Sequence, residues 1–132
     1  PVKINFPVLL DMLDTPVIFA YTPETLIAEK FQAMIELATL NSRMKDFYDV
    51  YILLTEQAID KNILQKAIAN TFKLRKTTLT EDHSIFTDDF KNDPQRLIMW
   101  KAFLRKINVT EELKFSIVIE LIIEKLKHLA II

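Results

Sequence analysis

The stretch TPETLIAEKFQAMIELATL, from Thr22 to Leu40, predicts a long amphipathic helix and with it a helical fold. Thr22 is a favourable N-cap, Pro23 suits the first helical position, and the Glu24 carboxylate favours the positive end of the helix dipole. Apolar side chains then recur at helical spacing and form one stripe: Leu26, Ile27, Phe31, Met34, Ile35 and Ala38. This stretch therefore indicates a helix that packs one face on a core.

Four later segments also have helical character. One runs from about residue 43 to residue 57, and the next begins at an Asp60 cap. Asp93 with Pro94 predicts the start of a fourth helix, and Thr110 followed by two glutamates predicts the start of a fifth. The sequence therefore predicts a mainly α fold, a bundle of about five helices.

The first 21 residues differ from the rest because they contain three prolines and no sustained helical period. VIFAY, residues 17–21, is one plausible strand, but a lone strand needs a partner for its backbone groups. We therefore expect residues 1–21 to be an extended segment that leads from a missing upstream domain. Residues 22–132 are expected to form a helical domain.

Composition excludes several kinds of site. The chain has 132 residues, a formal net charge of −1, no glycine and no cysteine. A glycine-rich phosphate loop and a thiolate metal site are therefore excluded, and no global charge favours nucleic acid or anionic membranes. The two histidines, His83 and His128, lack metal-ligand spacing, so no metal site is expected in this segment. The apolar C-terminal stretch contains charged residues and is expected to be a core helix, with no membrane partner.

Lys30 lies on the apolar stripe of the first helix, since it is four residues from both Leu26 and Met34. An unpaired buried ammonium is costly, so Lys30 needs a carboxylate, a phosphate or access to water. The alternative is that the side chain follows the edge of the core and keeps its charged end in water.

Asp46 and Asp49 occur in the stretch NSRMKDFYDVYILL, residues 41–54, and share a helix face with apolar residues. An alternative explanation is electrostatic: acids stabilise a helix start, and Lys45 with Asp49 forms a spaced ion pair. That alternative explains Asp49 better than Asp46.

A length estimate limits how Lys30 and Asp46 are expected to combine. In an antiparallel hairpin that turns near residues 41–42, Lys30 lies roughly 16 Å from the turn and Asp46 about 6 Å from it. A direct salt bridge is therefore not expected unless the helices cross steeply. We expect the two residues to contact different parts of one ligand.

Two further sets of residues are weaker candidates. The basic helix end with Lys73, Arg75 and Lys76 could contact a phosphate backbone, but a solvated helix terminus explains it better and needs no function. Trp100 and Phe103 are expected in the core, not on a base-stacking surface.

Two quoted segments together resemble a known family. YTPETLIAEKFQAM contains the pattern Tyr-x-x-Glu-Thr-x-x-Ala-Glu-Lys, and NSRMKDFYDVYIL contains Arg-x-Lys-Asp-x-x-Asp. This pair is similar to the AbiEii/AbiGii toxin family of nucleotidyltransferases. The later segments AIANTFKLRKTTL and WKAFLRK are also similar to family sequence, so the resemblance covers most of the chain.

The resemblance implies a polymerase-β type nucleotidyltransferase domain joined to a helical C-terminal domain. Family members transfer a nucleotide from a nucleoside triphosphate with a divalent metal, and some act on tRNA as toxins of toxin–antitoxin systems. Their metal-binding turn, Gly-Ser or Gly-Gly followed by Asp-x-Asp, does not occur in this sequence. We therefore expect this chain to be the C-terminal portion and inactive alone, with Mg²⁺ and nucleoside triphosphate serving the full-length protein and neither bound by this segment alone.

The resemblance also implies residue roles and partners. The two expected catalytic residues are Lys30, in the family's third motif, which is expected to contact the triphosphate, and Asp46, the acid of the family's fourth motif. Four residues are expected to support substrate binding, Arg75 being added from the basic helix end: Arg43, Lys45, Asp49 and Arg75. The expected partners are a nucleoside triphosphate, tRNA or other RNA, and an antitoxin, in the cytoplasm. The alternative function is a non-catalytic helical domain that docks an antitoxin or another protein.

Overall fold

A computed structural model describes residues 22–37 and 43–131 of the chain. Within these residues there are six α-helices and one short 3₁₀ turn at Ser84–Phe86: α1 (Pro23–Leu37), α2 (Met44–Glu56), α3 (Lys61–Leu74), α4 (Asp88–Lys91), α5 (Pro94–Lys106) and α6 (Phe115–Ala130). The described part of the chain has no strand, and the predicted mainly α fold is confirmed. The predicted extended segment, residues 1–21, lies outside the described residues.

Helix starts follow local sequence signals. The Thr22 side chain accepts a hydrogen bond from the backbone of the first turn of α1 at 3.2 Å. The Asp60 carboxylate accepts two backbone N–H groups of α3, and the Asp93 carboxylate accepts one of α5. Each cap satisfies backbone donors that have no partner inside the helix. Residues 43 and 57 flank α2, as predicted.

The predicted start of the last helix at Thr110 is wrong, because α6 begins at Phe115. The Trp100 indole N–H donates to the Leu113 carbonyl at 2.7 Å. That carbonyl lies inside the stretch that the sequence assigned to helix, and the buried Trp100 uses it as its hydrogen-bond partner. A tertiary contact therefore replaces the helical backbone pattern that the local sequence favours.

The core lies between α1, α2, α3 and α6, and α4 and α5 contribute Phe90, Trp100 and Leu104 to it. Phe47 of α2 is fully buried, with ring centroids 6.1 Å from Phe90 and 5.3 Å from Phe115. Trp100 lies against the same Phe115 ring at 5.3 Å, so its predicted place in the core is confirmed. α6 contributes buried residues to this core, as expected of the apolar C-terminal stretch. No helix in the described ranges is long and apolar enough to cross a membrane.

Two polar contacts connect segments that are distant in sequence. The buried Glu24 carboxylate of α1 accepts the Asp60 backbone N–H at 2.8 Å, which fixes the start of α3 beside the start of α1. The His83 ring contacts the Ile35 carbonyl at 2.9 Å and accepts the Ile85 backbone N–H at 3.1 Å. These contacts hold the connection after α3 against α1, the helix that carries Lys30.

Candidate functional site

The charged residues of the two sequence motifs meet where α1 contacts α2. Lys30 lies in the middle of α1, and its Nζ is 3.3 Å from Asp46 Oδ1 and 3.1 Å from Asp49 Oδ2. The side chains of Asp46 and Asp49 are only 3% and 4% exposed, and that of Lys30 is 14% exposed. Arg43 and Lys45 lie at the outer side and complete what we call the Lys30 cluster.

The prediction that Lys30 and Asp46 do not contact each other is wrong. The length estimate assumed that both helices rise directly from a tight turn. The structure instead places the third residue of α2 beside the eighth residue of α1. Residues 38–43 can span up to about 20 Å when extended, which is long enough to permit this offset.

Lys30 is half-buried and its ammonium pairs with two buried carboxylates, so the alternative that it keeps its charged end free in water does not describe it. Its position on the apolar stripe brings the ammonium against α2, where Asp46 and Asp49 project from successive turns. Next to them, Val50 and Leu53 are buried in the core. The same helical spacing that buries the apolar side chains therefore brings three charged groups together.

Asp49 has a larger role in this geometry than the sequence indicated. Its predicted ion pair with Lys45 is confirmed, but the same oxygen, Oδ2, also binds Lys30. An explanation from the helix start alone misses this second contact. The available signal was that Lys30 needed a carboxylate and that Asp49 lies three residues after Asp46 on the same face.

The two oxygens of Asp46 have different environments. Oδ1 accepts a hydrogen bond from Lys30, whereas Oδ2 is buried and has no hydrogen bond among the described residues. The nearest charge is Arg43 Nε, 3.4 Å from Oδ2, which gives an ion pair without hydrogen-bond geometry. A buried acceptor without a hydrogen bond is unfavourable, so Oδ2 is suited to accept a bond from a bound molecule or water.

The Lys30 cluster contains three cationic and two anionic side chains, which leaves an excess of one positive charge. Arg43 and Lys45 are the exposed members, and Lys30 lies inside. Such an arrangement can accept an anionic group from the solvent side. Lysine and arginine are common ligands of phosphate groups in proteins.

Arg75, the sixth predicted site residue, lies apart from the others. Its Nη2 is 2.9 Å from Glu29 Oε2 in an ion pair that is largely exposed. The structure therefore brings together five of the six predicted site residues. The ion pair of Arg75 joins the end of α3 to α1, and it does not involve the Lys30 cluster.

The comparison with protein families decides which known group this chain belongs to. The family model described as “Nucleotidyl transferase AbiEii toxin, Type IV TA system” matches residues 1–127. The chain belongs to this family. Comparisons with curated proteins and with solved structures gave no match. The resemblance inferred from the two motifs is confirmed, and a toxin–antitoxin family implies an antitoxin partner.

The Lys30 cluster of this AbiEii-family chain does not fit a divalent metal. Residues 22–37 and 43–131 contain no group of three or more histidine and carboxylate side chains that could hold one. Asp46 and Asp49 are already neutralised by ammonium and guanidinium groups. Those cations would repel Mg²⁺ from the carboxylate oxygens that it prefers.

The other side of α2 has a different electrostatic character. Tyr48 packs against Trp100 and Phe103, with ring centroids at 6.4 Å and 5.6 Å. Burial raises the pKa of Tyr48, and the nearby carboxylates of Glu56, Asp49 and Glu111 raise it further. In this AbiEii-family chain Tyr48 is therefore held in its neutral form, although the neighbouring face of α2 carries charged side chains.

Proposed function

We propose that this chain forms the helical part of an enzyme that transfers a nucleotide from a nucleoside triphosphate to an RNA acceptor. The observation that carries the proposal is the Lys30 ammonium, paired with both buried carboxylates of the Arg-x-Lys-Asp-x-x-Asp segment. Membership of a nucleotidyl transferase toxin family supports it. In this proposal Lys30 contacts the triphosphate, and Arg43 and Lys45 attract it from the solvent side.

The chemistry gives Lys30 a specific task. An acceptor hydroxyl attacks the α-phosphorus, a new phosphorus–oxygen bond forms, and the bond from the α-phosphorus to the departing pyrophosphate breaks. Negative charge grows on the pyrophosphate during this step, and a fixed cation stabilises that charge. Lys30 is largely removed from water, so little solvent screens its attraction for phosphate.

Asp46 is proposed to act at the acceptor side of the same reaction. Its Oδ2 is a buried acceptor that makes no hydrogen bond among the described residues. We propose that it accepts the hydrogen bond, and then the proton, of the attacking hydroxyl. Arg43 Nε lies 3.4 Å from this oxygen, on the exposed side of the cluster.

The metal-binding half of the proposed site is assigned to another domain of the full-length protein. The 132 residues contain no glycine and no Asp-x-Asp pair, and the described residues do not fit Mg²⁺. A nucleotidyltransferase domain that supplies the metal would complete the site. Magnesium would neutralise the triphosphate there, whereas this chain supplies the Lys30 cluster.

A nucleotide-transfer assay on the full-length protein tests the proposal. Total RNA is incubated with each of the four radiolabelled nucleoside triphosphates and either the wild type or a variant. We expect Lys30→Ala to lower labelling at least about 100-fold, because a fixed cation at the leaving group is lost. Lys66→Ala is the matched control, since Lys66 is an exposed lysine of α3 with no ion pair among the described residues.

The outcome also separates the proposal from its alternative. If Lys30→Ala labels RNA as well as the wild type, the proposed role of Lys30 is wrong. If the wild-type protein neither binds a nucleoside triphosphate nor transfers a nucleotide, the non-catalytic domain that docks an antitoxin is favoured instead.

A further inference from the structure

We infer that Asp49 is a positioning residue, which holds the Lys30 ammonium in the place from which it contacts the triphosphate. The inference rests on the proposed function of Lys30. It starts from the geometry of one atom: Asp49 Oδ2 binds Lys30 at 3.1 Å and also binds Lys45. Asp49 therefore fixes two cations of the Lys30 cluster at once.

The position of Asp49 in α2 shows that stabilising the helix dipole is not its main role. Asp49 is the sixth residue of α2, whereas the dipole acts mainly within the first turn. An ion pair with Lys45 alone would also be satisfied at the surface, where such pairs contribute little. Burial of the carboxylate is costly, so its placement inside the interface is explained by its contact with the half-buried Lys30.

A second carboxylate restrains the position of the Lys30 ammonium more than one carboxylate can. A lysine side chain has four rotatable bonds, and a single ion pair leaves its ammonium free to swing around the partner. Asp46 and Asp49 come from successive turns of one helix and hold the ammonium from two directions. Fixed placement matters because small displacements of a catalytic group lower reaction rates strongly.

The two carboxylates therefore have different tasks. Asp46 retains a buried oxygen without a hydrogen bond among the described residues, and this oxygen can act on a substrate. The Oδ2 atom of Asp49 is occupied by two ammonium groups. Asp49 acts through Lys30 and does not contact the reacting atoms.

Two variants of the full-length protein test this inference. Asp49→Asn keeps the shape of the side chain and removes its charge. Asp49→Glu keeps the charge but moves it further from the backbone by one methylene group. The first measurement is the rate at which acetic anhydride modifies Lys30, followed by mass spectrometry. The second is the KM for the nucleoside triphosphate in nucleotide transfer. Asp89→Asn is the matched control, because Asp89 is exposed and lies outside the cluster.

For Asp49→Asn we expect Lys30 modification to increase several-fold and the KM to rise about tenfold, since the ammonium is less constrained. Asp49→Glu should protect Lys30 better than Asp49→Asn and give an intermediate KM. A role in stability alone would lower the folded fraction and therefore kcat, and it would leave the KM unchanged.

Wild-type values of both Lys30 modification and KM in Asp49→Asn would overturn the inference. If Asp49→Asn does not fold, Asp49→Glu decides the question, and an unchanged KM in that variant overturns it. Failure of the proposed function is recognised separately: Lys30→Ala then retains nucleotide transfer, whatever the modification rates of Lys30 are.

Discussion

The two sides of helix α2 contact different kinds of partner. Phe47 packs against the rings of Phe90 and Phe115, whereas the preceding residue, Asp46, contacts Lys30. Asp46 and Phe47 are both almost completely buried. Burial of an aromatic ring stabilises the fold, but burial of a carboxylate is costly even when it is paired. Equal burial therefore accompanies opposite energetic effects: the aromatic side stabilises the fold, and the charged side is where we propose that the chemistry takes place.

The largest expected effect on stability is on the aromatic side. Phe47→Ala should lower the free energy of unfolding by about 3–5 kcal/mol, because it removes a fully buried ring and leaves a cavity. Denaturant unfolding of the chain measures this change. Ile98→Ala, a truncation on the exposed surface of α5, is the control and should change stability by less than about 0.5 kcal/mol. A loss below about 1 kcal/mol for Phe47→Ala would contradict the comparison.

A smaller effect is expected on the charged side. Asp46→Asn should lower the free energy of unfolding by on the order of 1–2 kcal/mol, because the charge pair with Lys30 is weakened while the ammonium keeps its second carboxylate. Lys30 retains Asp49 at 3.1 Å in this variant. The same unfolding experiment tests the expectation. A loss as large as that of Phe47→Ala would mean that the Lys30 cluster is a main source of stability.

The smallest effect is expected at Tyr48 and only at alkaline pH. Because burial raises the pKa of Tyr48 above its ordinary value of about 10, the folded chain favours the neutral phenol. This contribution is fully present below pH 10 and is lost as the pH rises through the raised pKa. Tyr48→Phe should therefore lose less stability above pH 10 than the wild type, as measured by unfolding against pH. Tyr51→Phe is the control, and equal alkaline losses in the wild type and Tyr48→Phe would contradict the expectation.

Local signals in the sequence predicted much of the fold. The caps at Thr22, Asp60 and Asp93 involve atoms within a few residues of each other, so their chemistry is visible in a short stretch. The pairing of Lys45 with Asp49 is also local, and it was predicted correctly. The motifs then indicated five side chains that the structure brings together in the Lys30 cluster.

Contacts between distant segments could not be predicted in the same way. The start of α6 depends on the hydrogen bond from Trp100 to Leu113, and the Lys30–Asp46 contact depends on how α2 is displaced along α1. Neither the displacement nor the hydrogen bond is encoded in helical periodicity. For the same reason the sequence pattern did not reveal that Glu24 accepts the Asp60 backbone N–H, 36 residues further along.

The central claim is that the charged side of α2 serves chemistry and the aromatic side serves stability. It is tested most directly by measuring nucleotide transfer and the folded fraction together for Asp46→Asn and Phe47→Ala in the full-length protein. We predict that Asp46→Asn remains folded and loses transfer by at least about 100-fold, because a proton acceptor is removed. Phe47→Ala should lose activity only in proportion to its unfolded fraction. Normal transfer by folded Asp46→Asn, or complete loss of transfer by folded Phe47→Ala, would contradict the claim.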